Sequence, residues 1–136
     1  MHEAFYNRGV ACAMVGDYAG AAKSYDEAIL LCPGYGLALL NRGVCLAAAG
    51  HYSEAVSSFD RVLRLDKTHG GAWYNRGIAL TRLGMHDDAV ESFSKVVAVE
   101  PEKSEAWNFL GRSLEALGRD AEACEAYKKA GDKTPQ

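Results

Sequence analysis

The chain has 136 residues, 49 % of them hydrophobic and 24 % charged, with a net charge of −3, which suits a single ordinary globular domain. A nucleic acid or an anionic membrane surface would call for a basic face, so both are disfavoured as partners, and no apolar run approaches the roughly 20 residues of a membrane span. No basic region followed by an apolar stretch opens the chain, so no secretory signal is read and a cytoplasmic location is expected. Helical pattern starts almost at Met1, as it would in a piece excised from a longer protein.

The first predicted helix carries Phe5-Tyr6-Asn7-Arg8-Gly9, and this string returns every 34 residues. Its later copies are Leu39-Leu40-Asn41-Arg42-Gly43, Trp73-Tyr74-Asn75-Arg76-Gly77 and Trp107-Asn108-Phe109-Leu110-Gly111. A fixed period of this size is the mark of a repeat architecture. It divides the chain into repeats 2–35, 36–69, 70–103 and 104–136 of one domain. Four columns hardly vary: Gly9/Gly43/Gly77/Gly111, Gly16/Gly50/Gly84/Gly118, Ala21/Ala55/Ala89/Ala123 and Tyr25/Phe59/Phe93/Tyr127.

Each repeat reads as helix A, a tight turn, helix B and a short connection. In repeat 3, Ala89, Val90, Phe93, Val96 and Val97 recur at helical spacing after Gly84. That glycine suits the left-handed residue that stops a helix. Asp17, Ser53, Asp87 and Asp120 follow it and are expected to cap helix B. Pro33 and Pro101 mark the ends of helix B in repeats 1 and 3. The mid-helix Gly9 column costs roughly 1 kcal/mol against alanine, which implies a close helix crossing, with the Ala21 column expected opposite it. The aromatic column is expected to fill the wedge between repeats. In repeat 4 helix B turns polar, with Lys128, Lys129 and Lys133, as the end of a solenoid requires, and Thr134-Pro135-Gln136 is expected to fray.

These residues resemble the tetratricopeptide repeat family, whose 34-residue pattern has a tryptophan, a leucine-glycine pair, then an alanine and an aromatic. Trp107, Leu110-Gly111, Ala123 and Tyr127 match it, while Arg8, Arg42 and Arg76 stand where leucine is usual. The resemblance covers essentially the whole chain. It implies an all-α fold, a right-handed α-α superhelix (solenoid) of four helix-turn-helix units, whose A helices line a concave groove.

By that resemblance the groove columns are Tyr6/Leu40/Tyr74/Asn108, Val10/Val44/Ile78/Arg112 and Ala13/Ala47/Thr81/Glu115. The groove is then apolar and aromatic through repeats 1 to 3 and polar in repeat 4. Asn7, Asn41 and Asn75 run beside it. Each carboxamide offers a donor and an acceptor, and one per repeat would suit the backbone of an extended peptide. This resembles the asparagine ladder in the repeat domain of O-linked N-acetylglucosamine transferase, and repeat 4 breaks it with Phe109. The same asparagines would equally serve to bond helix ends or water. Tyr6 and Tyr74 are aromatic anchor candidates, or pack between helices with only the hydroxyl wet. Asp26 and Asp60 are expected to pair with Arg8 and Arg42.

The peptide-binding set is therefore Tyr6, Asn7, Val10, Leu40, Asn41, Val44, Tyr74, Asn75 and Ile78, on a non-catalytic module for a protein or peptide partner. A clamp for chaperone C-terminal carboxylates is not expected: Asn41 fits it, but Tyr6, Gly71 and Asn75 stand where its cations would be. No phosphate loop, activated nucleophile or paired carboxylates appear. Cys12, Cys32, Cys45 and Cys124 form no C-x-x-C pair and read as reduced thiols acting as small hydrophobes. With the four histidines scattered, no metal or other cofactor is expected. Two alternatives stay open: self-association through the uncovered face of repeat 1, with Phe5 and Val15, and a scaffold fragment of a larger regulatory or assembly protein.

Overall fold

A computed structural model describes residues 1–131. Among them the regular structure is eight helices: α1 (His2–Met14), α2 (Tyr18–Leu31), α3 (Gly36–Ala48), α4 (Tyr52–Leu65), α5 (Gly70–Arg82), α6 (His86–Val99), α7 (Ser104–Ala116) and α8 (Asp120–Gly131). Helix starts repeat at the 34-residue period. The chain forms two compact units, Met1–Lys67 and a second from Thr68 onward. Each unit holds two helix pairs, and within it the helices pack mainly on their neighbours in sequence.

Every A-to-B turn is built the same way. Gly16, Gly50, Gly84 and Gly118 have φ of 82°, 87°, 75° and 76°, a region that side chains with a Cβ avoid. The glycine N–H donates to the carbonyl three residues back, and the next N–H reaches five back, as in Asp17 N–H to Cys12 (2.9 Å) and Met85 N–H to Leu80 (2.9 Å). This double bond pattern satisfies the orphan carbonyls that end a helix.

The caps differ from the sequence expectation. Asp17 does cap α2, accepting from Gly20 N–H at 3.0 Å. Ser53 and Asp87 are the second residues of α4 and α6, and Asp120 opens α8. The residues directly before α4 and α6 are His51 and Met85, whose side chains make no cap bond. The turn glycine fixes the register, and only Asp17 falls directly after it. Asp87 and Asp120 lie in the first turn, where a negative charge still favours the helix dipole.

The close crossing is also made differently. A Cβ on Gly9 would lie 2.5 Å from the Tyr25 ring, on Gly43 2.5 Å from Phe59, on Gly77 2.7 Å from Phe93 and on Gly111 2.6 Å from Tyr127. The glycine of helix A thus receives the aromatic ring of its own helix B, not the alanine of the Ala21 column. Those alanines are buried in the core. The ring serves the neighbouring repeat too: Phe109 stacks on Phe93 with centroids 5.2 Å apart and planes 11° from parallel.

The arginine column is corrected as well. Asp26 pairs with Arg42, whose Nε donates to the carboxylate, and not with Arg8. The Arg42 Nη1 donates to the hydroxyl of Ser58, which is 0 % exposed. Arg42 therefore spans from helix B of the preceding repeat to helix B of its own. Arg76 likewise donates to the buried Ser92 hydroxyl, at 2.7 Å, and lies 3.5 Å from Glu91. Repeat 4 drops the set together, with Leu110 in place of arginine and Ala126 in place of serine. Lys128 and Lys129 are exposed in the last turn of α8. Lys133 and Thr134-Pro135-Gln136 lie outside the described residues.

Candidate functional site

In the first unit α1 and α3 carry the nominated side chains. Val10, Asn41 and Val44 come together in lining an open cavity of about 290 Å³, with Ala13, Met14, Tyr25 and Cys45. Val44 is 43 % exposed. Asn7 is exposed and outside the cavity lining. Leu40 turns partly inward and packs against Leu46, Ala55 and Phe59. Tyr6 is half-buried, its ring 5.8 Å from Tyr25 and 5.2 Å from Tyr35. Its hydroxyl accepts from the Asn41 Nδ2 at 2.9 Å. One donor of the Asn41 carboxamide is thereby held inside the protein.

The second unit carries Tyr74, Asn75 and Ile78, all half-buried on α5. Tyr74 meets Phe93 and Phe109 edge-on, at 6.1 and 5.8 Å. Phe109 stands in the column of Asn41, so repeat 4 breaks the asparagine series where an aromatic ring is drawn onto Phe93. The Lys103 ammonium sits 4.2 Å over the Tyr74 ring, a cation–π contact. The Arg112 guanidinium lies 5.5 Å from the centre of the Phe109 ring.

Three neighbours escape the sequence reading. Met14 follows Val10 by one helical turn, so its place on this wall was available from spacing. Tyr35 and Lys103 occupy one column, directly before α3 and α7, and each covers the helix A tyrosine of its own repeat. That column changes from aromatic to cationic, so no conserved type signals it. Burial pushes the Tyr74 hydroxyl up, with Glu105 adding to it.

Burial, with smaller effects of Cys45, Tyr6 and Cys12, also pushes the Tyr25 hydroxyl up to about 12, against roughly 10 for a free tyrosine. The unfolded chain then loses this proton first as pH rises. Stability from neutral Tyr25 is complete below about pH 10 and is lost between about 10 and 12, an amount of about 2–3 kcal/mol. Alkaline titration followed by circular dichroism is expected to show unfolding in that window. Tyr25→Phe is expected to move the midpoint upward.

Among the described residues no cluster of His, Cys, Asp or Glu is arranged to hold a metal ion, and no helix is long and apolar enough to cross a membrane. What the surface offers is apolar wall, two covered tyrosines and carboxamides.

Models of the tetratricopeptide repeat match residues 2–35, and residues 40–98 and 74–136. No curated protein sequence matches the chain. Among solved structures, a crystal structure of MamA protein aligns at a TM-score of 0.92 and 23 % identity, over 97 % of this chain and 72 % of that one. A MamA chain running from 41 to its end, from Desulfovibrio magneticus RS-1, aligns at 0.92 and 27 % identity, over 96 % of this chain and 74 % of that one. A MamA RS-1 double mutant aligns at 0.92 and 28 % identity, over the same shares. The all-α fold of tandem helix pairs is the one these structures share. The 34-residue period, the four glycine-stopped turns and the family models agree, and the chain belongs to the tetratricopeptide repeat family.

Proposed function

We propose that the chain is a non-catalytic protein-binding module that takes an extended peptide or a partner helix on its A-helix face. The observation that carries this reading is the open cavity of about 290 Å³ between α1 and α3, with Val10 and Val44 on its wall and the Asn41 carboxamide beside them. Membership of a repeat family with a protein-binding role supports it. Apolar side chains of a ligand would seat against Val10, Val44 and Met14, while Asn41 keeps one carbonyl oxygen and one N–H for the ligand backbone. In the second unit Tyr74, Asn75 and Ile78 extend the same columns. Each asparagine hydrogen bond is worth about 0.5–1.5 kcal/mol.

The test is enrichment of a random peptide display library by the wild-type chain, by Val44→Asp and by Asn7→Ala/Asn41→Ala/Asn75→Ala, each checked for folding by circular dichroism. Wild type is expected to enrich peptides with apolar residues. Val44→Asp is expected to weaken them tenfold or more, the cost of ~1.4 kcal/mol or greater. The triple variant is expected to weaken them across sequences. Equal enrichment by wild type and Val44→Asp would remove the cavity from the site. Retained binding by the triple variant would remove the asparagines and leave an apolar groove.

A further inference from the structure

A second surface lies at the end of the second unit. A cavity of about 460 Å³ runs along the outer face of α8, lined by Glu115, Asp120, Cys124, Tyr127 and Lys128 among others. The same columns occur three repeats earlier as Ala13, Tyr18, Ala22, Tyr25 and Asp26, and there α3 covers them: Arg42 reaches Asp26, and Ala22 packs against a cluster that includes Leu46. One repeat earlier they are Thr81, His86, Val90, Phe93 and Ser94, and α7 covers them, with Phe109 stacked on Phe93. Twice in this chain, then, the groove is the seat of a helix. On α8, among the described residues, the seat has only α7 beside it. Tyr127 is accordingly half-buried and Cys124 exposed, whereas Tyr25 and Phe93 are fully buried.

The chemistry of each seat matches what sits on it. Asp26 faces the cation of Arg42. Ser94, uncharged, lines one cavity with Leu110. On α8 this column is Lys128, the inverse charge of Asp26. The far end of the groove is acidic, with Asp120 in the first turn of α8 and Glu115, which accepts from the Tyr127 hydroxyl at 2.8 Å. A short connection makes each seated helix antiparallel to the helix under it, so its C-terminal half would lie along the first turns of α8.

We propose that this face binds an amphipathic helix of another protein, one with a carboxylate near its middle opposite Lys128 and basic residues in its C-terminal half opposite Asp120. A second copy of this chain does not fit. Its α1 would bring Arg8 to Lys128, where like charges repel, and the C-terminal half of α1, Ala11-Cys12-Ala13-Met14, has no cation for Asp120. This site is independent of the groove between α1 and α3, and its test does not read that groove.

The probe is a labelled peptide of residues 34–50, which contains the helix that the equivalent seat on α2 holds, in its native form and as Arg42→Glu. Fluorescence anisotropy at low salt would measure both against the full chain and against its Lys128→Asp variant. The Arg42→Glu peptide is expected to bind wild type about fivefold more tightly than the native peptide, the scale of one exposed ion pair. Lys128→Asp is expected to invert that preference, and Lys128→Gln to abolish it. Sedimentation should show wild type without end-to-end association and Lys128→Asp, which restores the acid that Arg8 needs, more associated. Failure of both peptides to bind would overturn the seat. A preference unchanged by Lys128→Asp would overturn its charge code, and wild-type self-association that Arg8→Glu strengthens would place a second copy there instead.

Discussion

Phe93→Ala is expected to lower the unfolding free energy by about 3–5 kcal/mol, the range for removing a fully buried aromatic side chain. The ring is 0 % exposed, stacks on Phe109 and meets Tyr74 edge-on. It also fills the notch left by Gly77 on α5. Truncation therefore opens a void bounded by α5, α6 and α7. Urea unfolding followed by circular dichroism measures the loss. A second substitution tests the cause. Gly77→Ala alone is expected to destabilise by about 1–3 kcal/mol through overpacking, outweighing the roughly 1 kcal/mol that alanine gains in a helix. In the Phe93→Ala background the same change is expected to stabilise by about 1 kcal/mol, because its methyl enters vacated space. Additive effects of the two substitutions would show that the ring is not what keeps a side chain out of this position.

Arg42→Leu is expected to cost about 2–3 kcal/mol. The exposed half of its interaction, with Asp26 at 56 % side-chain exposure, is worth only about 0–1 kcal/mol. The larger part comes from Ser58, which is fully buried and would lose its hydrogen-bond partner, at about 1–3 kcal/mol. The chain itself supplies the compensating change. Where repeat 4 has leucine in this column, at Leu110, it has Ala126 in the serine column. Arg42→Leu/Ser58→Ala is thus expected to recover stability to within about 1 kcal/mol of wild type. Thermal and urea unfolding of the two variants decide it: a double variant no better than Arg42→Leu would mean that the cost lies in the ion pair, or in the packing of the arginine stem.

The helix boundaries and turns were legible because a 34-residue period compares four independent copies of each position. A glycine present at every copy of one turn points to a backbone requirement, and Gly16, Gly50, Gly84 and Gly118 have it. Partners were harder. Spacing within one repeat joined Arg42 to Asp60, whereas the fold brings Asp26 of the preceding helix B to it. Sequence distance does not tell which of two flanking helices a long side chain leans toward. The fully buried Ser58 carried a signal, since its column changes to alanine in the one repeat where arginine becomes leucine. Of the candidate site, Val10, Asn41 and Val44 follow from the helix A columns and meet at one cavity. Leu40 shares a column with Tyr6, yet its shorter side chain packs partly into the core. Tyr35 and Lys103 sit at helix entries, where no helical period reaches.

Within each unit the packing joins helices that follow one another along the chain. The loops that must close during folding are therefore short, about two helices long at most, and closure entropy grows slowly with such lengths. Low contact order of this kind goes with rapid folding, from microseconds to milliseconds. It also means that within a unit one helix pair can open without dismantling the other, since among the described residues the packing there is mainly between helices adjacent in sequence. A surface made of such pairs can adjust locally to a ligand while its buried rings, each locked against the glycine of the facing helix, hold the rest in place.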